Sequence, residues 1–332
     1  MSLERQLNAR WYGRPGLLWL LLPLEGLFRA LAALRRRCLN SETVGAPVIV
    51  VGNLAVGGSG KTPMVLALVE HLRAAGYRPG VVSRGYGGRA KQYPLLLAAD
   101  TTPAEAGDEP CLIARRSGVA VAVAPDRPAA ARLLVAAGCN VIISDDGLQH
   151  YRLARDIEIV LVDGQRGFGN GHCLPVGPLR EPVRRLNSAT FCVSNGEAAA
   201  PLPVTNYAMH LHGQTLVALH SGERCAAQAW PGNRQVHAVA GIGHPPRFFN
   251  SLRALGFDVI EHAFGDHHNF VADDLQFGDA LPIIMTEKDA VKCASLCPDN
   301  CWMLPVDARL PAAFFAALDA ELDRLAPRRA PS

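Results

Sequence analysis

A lysine and a threonine that follow a glycine-rich turn have the plainest chemistry in this chain. In Val56-Gly57-Gly58-Ser59-Gly60-Lys61-Thr62-Pro63, the glycines let the backbone curl until several N–H groups point at one phosphate. Lys61 can reach β- and γ-phosphates, and the Thr62 hydroxyl can ligate the Mg²⁺ that travels with them. The pattern G-x-x-x-x-G-K-[ST] asks for glycine where this chain has Ala55. The context compensates for that departure. An apolar β-branched run, Val48 to Val51, precedes the turn, and a helical pattern runs from Lys61 to about Ala75. Such a helix aims the positive end of its dipole at the same anion. A ligand-free βα turn would share the glycines, but it would not need Lys-Thr. The stretch is a nucleoside-triphosphate site.

Other residues carry compatible chemistry. Asp145 and Asp146 end the apolar strand that begins near Asn140, where a P-loop enzyme places the carboxylate that holds Mg²⁺ directly or through water. Adjacent strand residues point to opposite faces, so one of the two is expected to meet the metal. The bland alternative is a pair of acids capping the next helix. Gln149 and His150 follow and could orient a ligand or simply pack. An alcohol acceptor needs a group to take its proton, and a carboxylate with an imidazole suits that task. Asp108 and His267 supply the types, although their spacing does not show that they meet. Arg84, Arg127, Arg180 and Arg184 could hold phosphates by bidentate bonds, against the default of surface arginines.

The elements that must position these groups read as α/β. From Pro47 to Asp163 strand and helix patterns alternate, which implies a mostly parallel sheet with helices on both faces. Ligands then gather outside the C-terminal strand ends. Asp126-Arg127-Pro128 reads as the cap and start of a helix reaching Ala137. Gly164 to Asn187 is an irregular stretch rich in Gly, Pro and Arg. A strand pattern, Tyr207 to Leu219, leads to a second, smaller α/β pattern from His237, whose turn at Gly241-Ile242-Gly243 reads as structural. The expected division is an N-terminal helix in 1–40, a P-loop core in 41–200 and a C-terminal α/β domain in 201–332 that closes over the site.

Length and composition fit this plan. The chain has 332 residues, is 49 % hydrophobic and carries a net charge of only +3, so nothing in the totals suggests a nucleic-acid partner. Nine scattered cysteines fit a reducing compartment better than a disulfide framework. Cys293, Cys297 and Cys301 do not have a standard zinc spacing. The first forty residues differ from the rest. An apolar run from Gly16 to Phe28 is preceded by Arg5, Arg10 and Arg14 and followed by Arg35-Arg36-Arg37. Pro23, Glu25 and Arg29 make it a poor membrane span, and a nucleotide site directly downstream argues against export. Leu, Trp and Phe flanked by arginines suit a helix lying on an anionic membrane surface. A helix packed on the protein's own core is the alternative.

Taken together, these blocks resemble the tetraacyldisaccharide 4′-kinases, the lipid A 4′-kinases of Gram-negative bacteria, over nearly the full chain. The residues that carry the resemblance are Gly52-Asn53-Leu54 with Gly57 to Pro63, Ser83-Arg84-Gly85-Tyr86-Gly87, Gly107-Asp108-Glu109-Pro110 and Ser144 to His150. Gly177 to Pro182, Asp266-His267-His268 and Thr286-Glu287-Lys288-Asp289 complete the set. The resemblance implies transfer of the ATP γ-phosphate to the 4′-hydroxyl of a tetraacyl disaccharide 1-phosphate, with Mg²⁺. It implies attachment to the cytoplasmic face of the inner membrane through the N-terminal helix, with no obligate protein partner. It further implies Asp108 as base paired with a histidine placed at His267, with the neighbouring His268 as the alternative, and Lys61 and Thr62 on phosphate and metal. Glu109, Asp145 and Asp146 would surround Mg²⁺, and Tyr86, Arg127, Gln149, His150, Arg180 and Glu181 would position ligands. Two rival readings are a nucleotide-hydrolysing switch without an acceptor and a membrane adaptor with a vestigial P-loop. Thr286 to Asp289 has its lysine out of register for guanine recognition, and intact Lys61 and Thr62 weigh against the adaptor.

Overall fold

A computed structural model describes residues 3–325; the ends of the expected first and last segments, 1–2 and 326–332, lie outside the described residues. The helices are α1 (Leu3–Trp11), α2 (Leu22–Cys38), α3 (Lys61–Ala74), α4 (Pro103–Ala106), α5 (Asp108–Ser117), α6 (Arg127–Ala136), α7 (Pro245–Ala254), α8 (Glu287–Cys293) and α9 (Ala312–Leu325). The first eight strands are β1 (Val48–Asn53), β2 (Pro79–Ser83), β3 (Leu95–Leu96), β4 (Ala120–Val123), β5 (Val141–Ser144), β6 (Ile157–Asp163), β7 (Phe191–Asn195) and β8 (Asn206–His212). They are followed by β9 (Thr215–Ala218), β10 (Arg224–Ala226), β11 (Gln235–Ala240), β12 (Asp258–Ala263), β13 (Ile283–Thr286), β14 (Cys301–Leu304) and β15 (Asp307–Arg309).

Two sheets organise the described residues. The larger has the order β15-β8-β7-β6-β1-β5-β2-β4-β3, and the smaller β10-β9-β14-β13-β11-β12. The central strands pair in parallel: β1 lies between β5 and β6, with Ile49 opposite both Ile143 and Ile157. These strands are buried on both faces, which is why their sequences are continuous Val/Ile runs and do not alternate. One face packs on α3 through Met64, Val65, Leu68 and Leu72, and the other on α6 through Ala130, Ala131 and Leu134. The expected mostly parallel α/β core with helices on both faces is the architecture found.

Three local expectations are corrected. The strand expected over Tyr207–Leu219 is split between the two sheets, because at Gly213 the chain crosses beside the return crossing at Pro305. The boundary at 200/201 moves with it. β8, β15 and α9 belong to the first core, where Phe314 meets Phe191 and Tyr207 edge-on. Asp126 makes no capping hydrogen bond to α6. Its carboxylate is drawn to Arg152, at 3.3 Å.

The N-terminal segment is helical from Gly16 to Cys38 and has a mean hydropathy of 1.8 in its most apolar window, so by length and composition it could cross a membrane. The expected interruptions do not break it. Pro23 sits in the first turn of α2, where a missing N–H is tolerated, and Glu25 turns inward. Leu17, Leu20, Leu24, Leu27, Leu31 and Leu34 are spaced three and four apart, so they form one stripe down the helix, and each is 52–76 % exposed.

The two sheets face each other across ion pairs. At the end of β6, Asp163 accepts from the N–H groups of Gln165 and Arg166 and meets Arg247 of α7 at 2.9 Å. Burial pushes this carboxyl up, but His244, Arg247 and the Arg166 N–H outweigh it and hold the group at about 2. A carboxyl depressed in the folded state contributes stability above its unfolded pKa and loses it as pH falls through the folded value. Denaturant stability should therefore fall between about pH 4 and pH 2, and Asp163→Asn should remove roughly 1–2 kcal/mol of that fall after allowance for solvent screening. Urea titrations of both proteins at pH 5 and pH 3 measure the difference; equal pH dependence would mean that the pair contributes nothing.

Candidate active site

The phosphate-binding loop connects β1 to α3 and is held from three sides. Asn53 Nδ2 donates to Gly57 O (3.1 Å), Asn195 Nδ2 of β7 to Ser59 O (3.1 Å), and the Val56 N–H to Pro178 O (2.8 Å). Gly60 has a φ of +90°, a left-handed turn just before α3 that a side chain would strain. α3 begins at Lys61, so its unsatisfied first N–H groups open into the loop. Thr62 and Pro63 complete the first turn.

A second wall comes from the smaller sheet. The Gly241–Gly243 turn after β11 approaches so closely that a Cβ on Gly243 would lie 2.7 Å from the Gly58 nitrogen. Thr286-Glu287-Lys288-Asp289 explains how the turn is held. Asp289 is fully buried, accepts from the Gly241 N–H (2.9 Å) and from the Thr286 hydroxyl (2.6 Å), and so fixes the turn against the start of α8. In sequence this turn reads as structural only; its contact with the P-loop has no local signal.

Asp145 and Asp146 differ sharply. Asp145 is fully buried and neither of its oxygens has a hydrogen-bond partner. Burial, together with the charges of Glu109 and Asp146, pushes it up to about 7. Asp146 takes a positive φ of 46° and turns to the cations, 3.6 Å from Lys61 Nζ and 3.3 Å from Arg180 Nη1. Burial acts upward on it as well, but Lys61, Arg180 and Arg127 outweigh that and hold it at about 2. Glu109 is met by Lys288 Nζ at 3.0 Å. Among the described residues no three His, Cys, Asp or Glu side chains converge on one point. Of the three expected carboxylates, Asp145 is the one whose oxygens have no partner, with the Thr62 hydroxyl on the loop. That donor set still fits Mg²⁺, which keeps several waters and takes one or two carboxylates beside phosphate oxygens.

Asp108 and His267 meet. His267 Nδ1 lies 3.2 Å from Asp108 Oδ2, and Asp108 Oδ1 accepts from the Glu109 N–H (3.1 Å). Asp108 is the first residue of α5, and His267 sits in the loop after β12 with a φ of +58°. Lys288 Nζ lies 3.3 Å from His267 Nε2, so the ammonium donates there and the Nδ1–H faces Asp108. The Asp108 bond raises His267 above the usual histidine range, although burial and Lys288 oppose it. Burial acts upward on Asp108, but His267 and Lys288 outweigh it and hold this carboxyl low. Lys288 stays protonated because Glu109, Asp266 and Asp108 together exceed the effect of its burial. His268 takes another partner, Asp274 at 2.9 Å, so His267 is the one paired with Asp108.

The remaining expected residues form a rim and a support. The exposed Tyr86 tilts over the His267 ring at 4.8 Å. Arg180 reaches Asp146 and Gln149, and Gln149 bonds Asn53 O and Glu181. Glu181 itself is buried and bonds Gln149, Tyr151 and Arg185, which ties it to this rim. Arg127 is likewise buried, donating to Ser144 Oγ and Asp146 O, where it props the strand end. His150 is kept neutral by burial and nearby arginines, at about 4.

A strand-loop-helix phosphate site, a buried carboxylate at a neighbouring strand end and an Asp-His pair facing them define a P-loop phosphotransferase. The family model for tetraacyldisaccharide-1-P 4′-kinase matches residues 17–323. The chain is 51 % identical to the tetraacyldisaccharide 4′-kinase of Alkalilimnicola ehrlichii, over 96 % of this chain and 98 % of that one. It is 50 % identical to the Pseudomonas aeruginosa enzyme of that name, over 99 % and 100 %. The crystal structure of LpxK from Aquifex aeolicus in complex with ATP superposes with a TM-score of 0.76, at 28 % identity, covering 92 % of this chain and 99 % of that one. This chain belongs to the tetraacyldisaccharide 4′-kinase family.

The close approach at Gly243 carries a prediction. Gly243→Ala places a methyl group against the Gly58 nitrogen and should weaken ATP binding about tenfold, with little change in melting temperature. Calorimetric titration with ATP measures it; unchanged affinity would mean that the turn gives way freely.

Proposed function

We propose that this protein transfers the γ-phosphate of ATP to the 4′-hydroxyl of tetraacyldisaccharide 1-phosphate, the step in lipid A biosynthesis that gives lipid IVA. The observation that carries the reading is the Asp108–His267 pair, next to Asp266 at the Gly243 turn that closes on the phosphate loop, because a switch that only hydrolyses nucleotide does not need a base for an alcohol. Lys61 and the α3 N-terminus bind the β- and γ-phosphates, and Lys61 exchanges Asp146 for the transferring group. Asp145 and Thr62 are the residues that would hold Mg²⁺, which when bound neutralises charge on the phosphate oxygens. Asp108 takes the proton of the acceptor hydroxyl and becomes a neutral carboxylic acid, and the His267 Nδ1–H, its tautomer fixed by Lys288, orients the carboxylate for that transfer. Tyr86 and Arg180 stand at the rim where the sugar and its phosphate enter.

The acceptor is a lipid, and the N-terminal helix suits its surroundings. A stripe of six exposed leucines with Arg29, Arg35, Arg36 and Arg37 on the same helix fits the interface of an anionic membrane. We place the protein on the cytoplasmic face of the inner membrane, where ATP is available.

Two measurements test this reading. Asp108→Ala should lower transfer of labelled γ-phosphate to the detergent-dispersed lipid by about 10²–10⁴-fold while ATP still binds. Lys61→Ala should reduce transfer at least as severely. Label released only as free phosphate by the wild type would support the switch. The triple variant Leu20→Glu/Leu27→Glu/Leu31→Glu alters only exposed positions and should release the protein from anionic vesicles; retained binding would move the anchor elsewhere.

A further inference from the structure

One side chain of α2 departs from the pattern of the helix. Glu25 is 3 % exposed, although Leu24 and Leu27 beside it project outward. Its Oε2 lies 2.7 Å from His172 Nδ1, and its Oε1 accepts from the Cys173 N–H at 3.0 Å. Arg29, one turn on, is 3.6 Å from the same Oε1. Around this contact Trp19 meets the His172 ring edge-on at 4.9 Å, and Trp11 Nε1 donates to Pro175 O at 3.1 Å. A buried carboxylate is expensive unless its oxygens are satisfied. Here both are, by groups of a single loop.

That loop leads directly to the phosphate site. Residues 172–179 are closed on themselves by Leu179 N–H to His172 O (3.1 Å), Leu174 N–H to Leu179 O (2.9 Å) and Gly177 N–H to Cys173 O (2.9 Å). At the far end Pro178 O accepts from the Val56 N–H, the Arg180 N–H donates to Leu54 O (2.6 Å), and the Arg180 side chain reaches Asp146. One short, internally bonded loop thus holds the apolar helix at one end and the phosphate loop at the other.

We propose that Glu25 is a positioning residue for phosphorylation of the lipid acceptor. By fixing the helix on loop 172–180, it sets the height of the phosphate site above the apolar surface on which the leucine stripe rests. This rests on the lipid-kinase reading. The acyl chains of the acceptor fix the depth of its hydroxyl, so the enzyme must present its site at a matching height, and small misplacements cost rate steeply. Affinity for the surface resides in the leucines, which Glu25 does not touch, so binding and transfer are separable. The closing bonds of the loop hold its nucleotide end without Glu25.

The test compares wild type, Glu25→Ala, Glu25→Gln, His172→Ala and the Glu25→Ala/His172→Ala double variant. It measures kcat and KM for tetraacyldisaccharide 1-phosphate in mixed micelles, KM for ATP, and binding to phosphatidylglycerol vesicles. Glu25→Ala should lower kcat/KM for the lipid about tenfold or more, with KM for ATP within about twofold and vesicle binding undiminished. Glu25→Gln should recover most of the loss, since its amide can still accept from Cys173 and donate to His172. The double variant should be no worse than the more affected single variant. Unchanged kcat/KM overturns the proposal, as does loss of ATP affinity or of vesicle binding in parallel with transfer. A wild type that never phosphorylates the lipid is a separate result, and it sinks the kinase reading itself.

Discussion

The proposed catalytic pair depends on a contact between residues 159 positions apart, Asp108 and His267, one on α5 beside the larger sheet and the other in the loop after β12 of the smaller. The pair forms because α8 docks along α5. Lys288 bonds Glu109 at the start of α5, and Glu287 bonds Arg116 two turns on, at 2.5 Å. Lys288 then serves both sides, since its ammonium neutralises Glu109, Asp266 and Asp108 while fixing the imidazole's free nitrogen. A carboxylate at a helix N-terminus, bonded to an imidazole with a set tautomer, is a pre-oriented proton acceptor that needs no rearrangement at the moment of transfer.

The same site separates two neighbouring carboxylates by environment. Asp146 is compensated by Lys61 and Arg180, and it holds the lysine in place. Asp145 has no partner for either oxygen, an uncompensated burial that a cation would relieve. Adjacent strand residues must diverge, and the positive φ at Asp146 exaggerates the divergence. Supports at greater distance, Arg127 and Glu181, spend their polar atoms on the protein and keep the strand end and the Arg180 rim rigid.

Beyond loop 172–180, on the N-terminal helix, a stripe of apolar surface is left exposed. The leucine stripe of the N-terminal helix stays exposed, while the opposite side of the helix is anchored by the Glu25 contact with His172 and Cys173, by Phe28 against the core and by the flanking tryptophans. The Glu25 contact holds the helix in a defined register while the apolar stripe stays exposed, as the proposed membrane surface requires.

The sequence by itself determined the parts whose physics is local. The glycine turn with Lys61 and Thr62, the buried Val/Ile strands, the carboxylates at the end of β5 and the Leu/Arg character of the first forty residues follow from backbone conformation, pleat and hydrophobic pattern within a dozen residues. Family resemblance added the chemistry of Asp108 with a histidine. Tertiary structure alone decided which histidine pairs, because His267 and His268 differ only in what faces them, Asp108 in one case and Asp274 in the other. It also decided that Glu109 goes to Lys288, that the Gly243 turn closes on the P-loop, and that β8 and α9 join the first core. Each of these depends on the docking of segments far apart in sequence, and no local preference encodes a partner that only the packed chain brings near.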